Sequence, residues 1–444
     1  MKNKLRLVIF SSALHDSNSV MGSRLELLEG LRRFAGLDIL YPSMLDASAA
    51  LNSQIDGGTR TGLILEDSAH VKTLCFIATG GTEEFFRNYA EVLPRPVLLL
   101  SDGLHNSFAA AFEIKSYLAQ RGIASTLFNA PLDENPDFYT ELEESLFGTG
   151  AVADTLTPSD PLPRFSKSVV KAFEKTRIGL IGGASDWLIA SGIDREAVSK
   201  TYGATFLDIP LRELEVEFAA TTDDTPELRS VFARTERFLT DDRTPAQLRE
   251  AARMYLALRK LCTKYNLNAL TLKCFGLLNS CRTTACLALA LLNDEGVVSG
   301  CEGDIPALWT MLYTRYAFGE PAFMANPSSS NRREWTIDFA HCTIPLSMVH
   351  GYRLPSHFES QTGIGIAGSV PSGRYRILKL FGERLDQYYE ATGDIIMNTN
   401  IPQRCRTQIR FRFSSEAEFD RFFRISKGNH IILCRAAGPG APSR

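Results

Sequence analysis

From Leu5 to about Gly148, short apolar runs alternate with amphipathic ones, and that alternation leaves few folds open to the chain. The runs Leu7–Phe10, Leu74–Ala78, Val97–Leu100 and Ala124–Phe128 have the length of buried strands. Between the last two, Ser107–Arg121 carries Phe108, Ala111, Phe112, Lys115 and Leu118 on a helix that Gly122 stops. Strands separated by helices assemble into a mostly parallel sheet with helices on both faces. The irregular stretch Thr157-Pro158-Ser159-Asp160-Pro161-Leu162-Pro163 interrupts the pattern, which restarts with a strand and turn at Arg177–Gly182. A long helix opens at Thr244-Pro245-Ala246-Gln247, where a threonine cap, a first-turn proline and a glutamine match a capping box, and runs to about Tyr265. Strands recur at Ala269–Phe275, Gly296–Cys301 and Ala322–Ala325, with helices at Thr283–Asn293 and Ile305–Tyr316 between them. After about Ser328 the period changes to two, as in Trp335–Phe339, Tyr375–Leu380 and Gln408–Phe413. The expected architecture is two doubly wound, Rossmann-like α/β domains, 1–160 and 161–327, followed by an antiparallel, barrel-like β domain, 328–444.

Composition narrows the function classes. An apolar fraction of 44% and a charged fraction of 22% are those of an ordinary soluble globular protein. A formal charge of −3 argues against a general nucleic-acid or anionic-membrane binder, and no apolar stretch approaches the length of a membrane span. Met1-Lys2-Asn3-Lys4 and the apolar residues after it imitate a secretion signal, but Arg6 interrupts them and no convincing cleavage pattern follows. These residues read as a first buried strand, and the chain is expected to be cytoplasmic. The nine cysteines agree: their number is odd, none forms a C-x-x-C pair, and most lie in apolar runs, as free thiols in a reducing compartment do. The tail Gly438–Ser443 reads as disordered.

The run Gly300-Cys301-Glu302-Gly303-Asp304-Ile305-Pro306 concentrates the chemistry. Two carboxylates follow a short apolar strand and precede a helix that Pro306 can open, and the carboxyl ends of strands in open α/β sheets are where ligands collect. Such carboxylates suit a hard divalent cation or proton transfer beside a carbonyl; equally, Asp304 can simply cap the helix. The glycine turns Thr79-Gly80-Gly81-Thr82 and Gly182-Gly183-Ala184-Ser185 match neither the dinucleotide fingerprint nor the Walker pattern. They read as tight βα turns, and Glu83 and Glu84 already supply negative charge after the first. In Gln408–Phe413, Ile409, Phe411 and Phe413 face one way and Gln408, Arg410 and Arg412 the other, the latter a solvated strand face or an anion contact.

Thr283-Thr284-Ala285-Cys286-Leu287, Leu292-Asn293-Asp294-Glu295-Gly296 and Cys301-Glu302-Gly303-Asp304, in this order, resemble the L-fucose/L-arabinose isomerase superfamily, and most of all its fucose isomerase-like branch. Phe323-Met324-Ala325-Asn326-Pro327, Ala340-His341-Cys342-Thr343, His357-Phe358-Glu359-Ser360 and Gly428-Asn429-His430 continue the resemblance, which is dense from about Leu270 to His430 and only architectural before that. The resemblance implies a divalent cation, Mn²⁺ by ligand type, held by Glu302 and His341 with His430 as a further ligand. It implies an aldose–ketose isomerisation through an ene-diolate, with Glu302 and Asp304 as catalytic carboxylates. Asn326, His357 and Glu359 would contact a small-molecule carbohydrate. Members resemble homo-oligomers whose cleft is completed by a neighbour's N-terminal domain, a role open to His105 and Asn106; Asn106 can equally cap the Ser107 helix. Two departures stand out. His430 is followed by Ile431 rather than completing a His-His pair, and Asn326 stands near the family's second carboxylate, where it cannot take a proton. Asp304, Asp338 and Glu359 are possible substitutes. A related lyase or epimerase, or a carbohydrate-binding or regulatory protein of the same fold without activity, are the alternative readings.

Overall fold

The computed structural model describes residues 3–12, 17–42, 65–131, 136–148, 156–222 and 225–436. The tail Gly438–Ser443 lies outside the described residues. Seventeen strands fall within them, numbered here in chain order.

The first sheet contains β1 (Lys4–Phe10), β2 (Gly36–Leu40), β3 (Val71–Ile77), β4 (Val97–Ser101) and β5 (Ser125–Asn129), all parallel, in the order β2-β1-β3-β4-β5. The signal-like N-terminal run is indeed a strand: Leu5, Leu7, Val8, Ile9 and Phe10 are buried on both faces, as parallel strands covered by helices are. The second sheet contains β6 (Arg177–Ile181), β7 (Thr205–Ile209), β8 (Ala269–Leu272) and β9 (Val298–Gly300), parallel, in the order β7-β6-β8-β9. In each sheet the chain reverses its direction of winding beside the first strand, between β1 and β3 and between β6 and β8. Crevices at the carboxyl ends of strands open at such points.

The third unit is a closed antiparallel barrel. It is built from β10 (Phe323–Asn331), β11 (Thr336–His341), β14 (Gly373–Phe381), β15 (Gln387–Asn398), β16 (Thr407–Phe413) and β17 (Ile431–Arg435), in the order β10-β11-β16-β15-β14-β17. β12 (Gly351–Arg353) and β13 (Ala367–Ser369) form a separate pair. The strand expected at Ala322–Ala325 in the second sheet belongs here instead: β10 pairs with β11 and, through Phe323–Ala325, with β17. In β16 the apolar face points inward, and Phe413 packs edge-on against Phe419 and Phe422 of the Glu416–Arg424 helix. The opposite face is neither wholly solvated nor free for an anion. Gln408 is buried, and Arg410 donates to Asp338 at 2.7 Å.

Two helices matter most for the site. Ser107–Gln120 is buried on nearly every side rather than amphipathic. Its Phe112 ring packs tilted against Phe422 (centroids 5.2 Å apart), and Lys115 Nζ donates to Phe423 O at 2.8 Å. Its Glu113 accepts from the backbone of Ala190 (2.7 Å) and Asn429 (2.8 Å), so one carboxylate ties together all three units. The Pro245–Tyr265 helix has the capping box that Thr244 and Gln247 announce. All nine cysteines are buried and free. Among the described residues, no helix is long and apolar enough to cross a membrane.

Candidate active site

Residues following strands of both parallel sheets line one small cavity of about 30 Å³. Gly80, Glu83 and Asn106 come from the loops after β3 and β4, and Trp187, Phe275 and Glu302 from those after β6, β8 and β9. The barrel adds Asn326 from β10 and Asn429 just before β17, and the segment between β12 and β13 adds Glu359. A larger groove of about 600 Å³ lies along the seam between the first domain and the barrel. Its Arg332 and Arg410 already pair with Asp420 and Asp338.

Glu302 is the centre of the arrangement. Its backbone is left-handed (φ 63°), with Gly303 (φ 73°) after it, and this tight turn throws the carboxylate into the cavity. Trp187 Nε1 donates to Glu302 Oε2 at 2.6 Å, and Ser185 N–H donates to the Glu302 carbonyl at 2.9 Å. The other carboxylate oxygen, Oε1, lies 3.5 Å from His341 Nε2 and 3.5 Å from His430 Nε2. Glu302 and His341, 39 positions apart, are thus neighbours in space. Burial pushes the Glu302 carboxyl up, but His430 and His341 beside it outweigh that and hold it well below the usual carboxylate range.

Asp304 is fully buried and its oxygens are taken. Oδ1 accepts from Ala307 N–H at 2.7 Å, capping the Ile305–Phe318 helix whose first turn holds Pro306. Oδ2 takes His430 Nδ1 at 2.8 Å and Lys379 Nζ at 3.4 Å. Lys379 also donates to the His430 carbonyl at 2.7 Å. His430 thus faces Asp304 through Nδ1 and Glu302 through Nε2, and that buried Nε2 makes no hydrogen bond. Burial opposes the charge on this ring, yet Glu302 and Asp304 raise its pKa to about 9.

The residues fit a divalent cation. A carboxylate oxygen with two imidazole nitrogens about 3.5 Å away is near the spacing of ligands sharing one ion, and the carboxylate behind His430 is the usual support of a ligating histidine. Asn326 Oδ1, also buried, has no partner. His341 accepts a long contact from Thr343 N–H on Nδ1 (3.4 Å), so ligation through Nε2 would move its ring proton to Nδ1. Cys301 Sγ falls within the same 4.8 Å cluster as Glu302 and His341. Its hydrogen bond with Cys274, together with burial, pushes its pKa well up and keeps it a thiol rather than a thiolate ligand.

The remaining predicted residues separate. Glu359 lines the cavity and accepts from Asn106 Nδ2 at 2.6 Å. Asn106 makes no side-chain cap for the Ser107 helix. It belongs to the same chain, so this chain's own N-terminal domain contributes to the cavity. His357 is set back from it, with Nδ1 3.0 Å from Ser360 Oγ and its ring 5.7 Å from that of Phe275. Burial lowers its pKa, but Cys342 more than reverses this and brings it to about 9. The residues that sequence reading missed are Trp187, Lys379 and Glu83. None sits in a motif, although the turn Gly80-Gly81 flagged the neighbourhood of Glu83. Glu83 is 2% exposed, its Oε2 has no partner, and burial chiefly, with Glu113, Glu302 and Glu359 nearby, pushes its pKa well up, against the negative charge expected of it at that helix start.

No known family model matches the chain. Over 218 residues it is 27% identical to a sulfoquinovose isomerase of Clostridium sp. (strain MSTE9), covering 44% of this chain and 48% of that protein. Over 239 residues it is 28% identical to a sulfoquinovose isomerase of Alkalicoccus urumqiensis, covering 49% and 53%. The matches span about half the length of these relatives. The chain is therefore related to sugar isomerases, at a distance and in part. Among solved structures, an A-type ketoreductase of a modular polyketide synthase aligns over 67% of the chain at 12% identity and a TM-score of 0.26, too slight to inform fold or function.

Proposed function

We propose that this protein is a metal-dependent aldose–ketose isomerase of the fucose isomerase-like kind, acting on a monosaccharide or a derivative of one. The observation that carries this reading is the placement of His341 Nε2 and His430 Nε2, each 3.5 Å from Glu302 Oε1, beside the unpartnered Asn326 Oδ1. Glu302, His341 and His430 would hold the ion, Mn²⁺ by the mixed carboxylate and imidazole set, with Asn326 as a carbonyl ligand or hydroxyl contact. When bound, such an ion polarises a carbonyl and its neighbouring hydroxyl, which makes the sugar C2 proton acidic. Asp304 and Lys379 fix the His430 ring; Trp187 fixes the Glu302 carboxylate. Trp187 and Phe275 give the cavity an apolar wall for a sugar's C–H face, and the amides and carboxyls suit its hydroxyls.

The distant relatives act on sulfoquinovose, a sulfonated sugar, and this is one candidate substrate. Among the described residues that line the cavity there is no lysine or arginine, so a sulfonate would sit beyond them and the sugar's uncharged end against Glu302. The alternative is a carbohydrate-binding protein without turnover, which Asn326 in place of a carboxylate favours. Proton abstraction separates the two. Hydrogen–deuterium exchange at C2, followed by NMR with added Mn²⁺ across neutral and sulfonated aldoses, is expected in wild type and lost by at least ~100-fold in Glu302→Gln. A wild type that exchanges no sugar in the presence of metal leaves the binding reading standing.

A further inference from the structure

The isomerase reading leaves one part of the chemistry unassigned, because Asn326 cannot take a proton. Three carboxylates could replace the missing one, and the structure separates them. Asp338 is buried with both oxygens engaged, Oδ1 by Arg410 Nε and Oδ2 by Arg404 Nη1, each at 2.7 Å. Asp304 is consumed by its cap, by His430 and by Lys379. Glu359 alone of the three lines the cavity together with Glu302 and Asn326. Its Oε1 is fixed by Asn106 at 2.6 Å, and Oε2 accepts no hydrogen bond among the described residues.

We infer that Glu359 is the carboxylate that carries the proton between the two sugar carbons. In the aldose-to-ketose direction, the C2–H bond breaks and its proton goes to Glu359. The freed electron pair forms the C1–C2 double bond while the carbonyl pair moves onto O1. Glu359 then returns the proton to C1, and the O2 hydroxyl gives its proton to O1 as the C2 carbonyl forms. No oxidant, reductant or co-reactant enters. A carboxyl suited to both halves of this cycle needs to lie close to neutrality. Burial pushes Glu359 up, His357 pulls against it and the Glu302 charge adds to burial, leaving it at about 7. Glu83, the third carboxyl in the cavity, is pushed well up chiefly by burial, which favours its donating to a sugar hydroxyl.

This inference rests on the isomerase reading, and the experiment keeps the two apart. Wild type, Glu359→Gln and Glu359→Asp are compared for C2 exchange by NMR, for Mn²⁺ affinity by titration calorimetry, and for thermal unfolding. E359Q is expected to bind Mn²⁺ as wild type does and to lose exchange by ~100-fold or more. E359D, with the carboxyl drawn back by one methylene, should recover part of it. Exchange by E359Q at close to the wild-type rate overturns this inference alone. So does a loss matched by an equal loss of Mn²⁺ affinity in both variants, which would make Glu359 a support for the metal site. A wild type inert on every sugar overturns the isomerase reading and this inference with it.

Discussion

Asp304 carries three duties on two oxygens: it caps a helix, orients His430 and offsets the charge of Lys379. Carboxylates that hold a ligating histidine from behind typically govern metal affinity without touching the ion. Asp304→Asn keeps an oxygen for the Ala307 cap but turns an amide toward His430 and Lys379. Its Mn²⁺ affinity is expected to fall ~10–100-fold, read by calorimetric titration, with a lower melting temperature from the unmatched buried lysine. Unchanged affinity would detach His430 from the metal. At this scale the sequence was legible where residues sit in a motif. Glu302, Asp304, His341 and His430 were named, and the cap was foreseeable from Pro306. Trp187 and Lys379 were not, because their partners lie 115 and 75 positions away and nothing local marks a tryptophan or lysine as aimed at a carboxylate.

Among the elements, two glycine turns act on each other. Gly182 and Gly183 (φ 79° and 78°) follow β6, and Gly303 packs against Gly183 and Ala184. A Cβ on Gly303 would meet the Gly183 carbonyl oxygen at 2.3 Å and Ala184 Cα at 2.6 Å. The Gly182-Gly183 turn is therefore a buttress for the Glu302 loop, consistent with its reading as a βα turn rather than a phosphate cradle. Gly303→Ala combines a left-handed backbone with a backbone clash, together on the order of 2–5 kcal/mol. Gly122→Ala is the control: its φ is also positive (69°), but nothing lies within 4 Å of the added carbon. G303A should unfold at clearly lower urea than G122A and bind Mn²⁺ less well; equal losses would deny the buttress. The alternation of strands and helices made both parallel sheets legible. It could not place β10, because an apolar run after a helix looks the same whether it joins the previous sheet or the next. What decides is pairing with β17, more than a hundred positions along the chain.

For the whole molecule, the cavity's size sets a requirement. About 30 Å³ holds a water or two, and a monosaccharide is several times larger. The walls come from all three units, so admitting a sugar means separating them. The first domain meets the other units through the Phe112–Phe422 contact and through polar seams: Asn106 to Glu359, His105 N–H to the Gln403 carbonyl (2.9 Å), and Asn129 Oδ1 accepting from Ser330 N–H (3.0 Å) and Oγ (2.9 Å). Hydrogen-bonded seams of this kind part more readily than apolar ones, because water replaces each bond. Asn129 and Ser330 line the larger groove and not the cavity, so their contact can be locked without touching the chemistry. In an Asn129→Cys/Ser330→Cys double variant, mild oxidation should bridge the seam, and all nine native thiols are buried and shielded from the same treatment. The oxidised protein is expected to keep its Mn²⁺ affinity and lose most of its sugar exchange, with a reductant restoring it. If the bridged protein turns over sugar as fast as the reduced one, entry does not require the first domain to part from the barrel. The opening would then lie in the loops that carry Trp187 and Phe275.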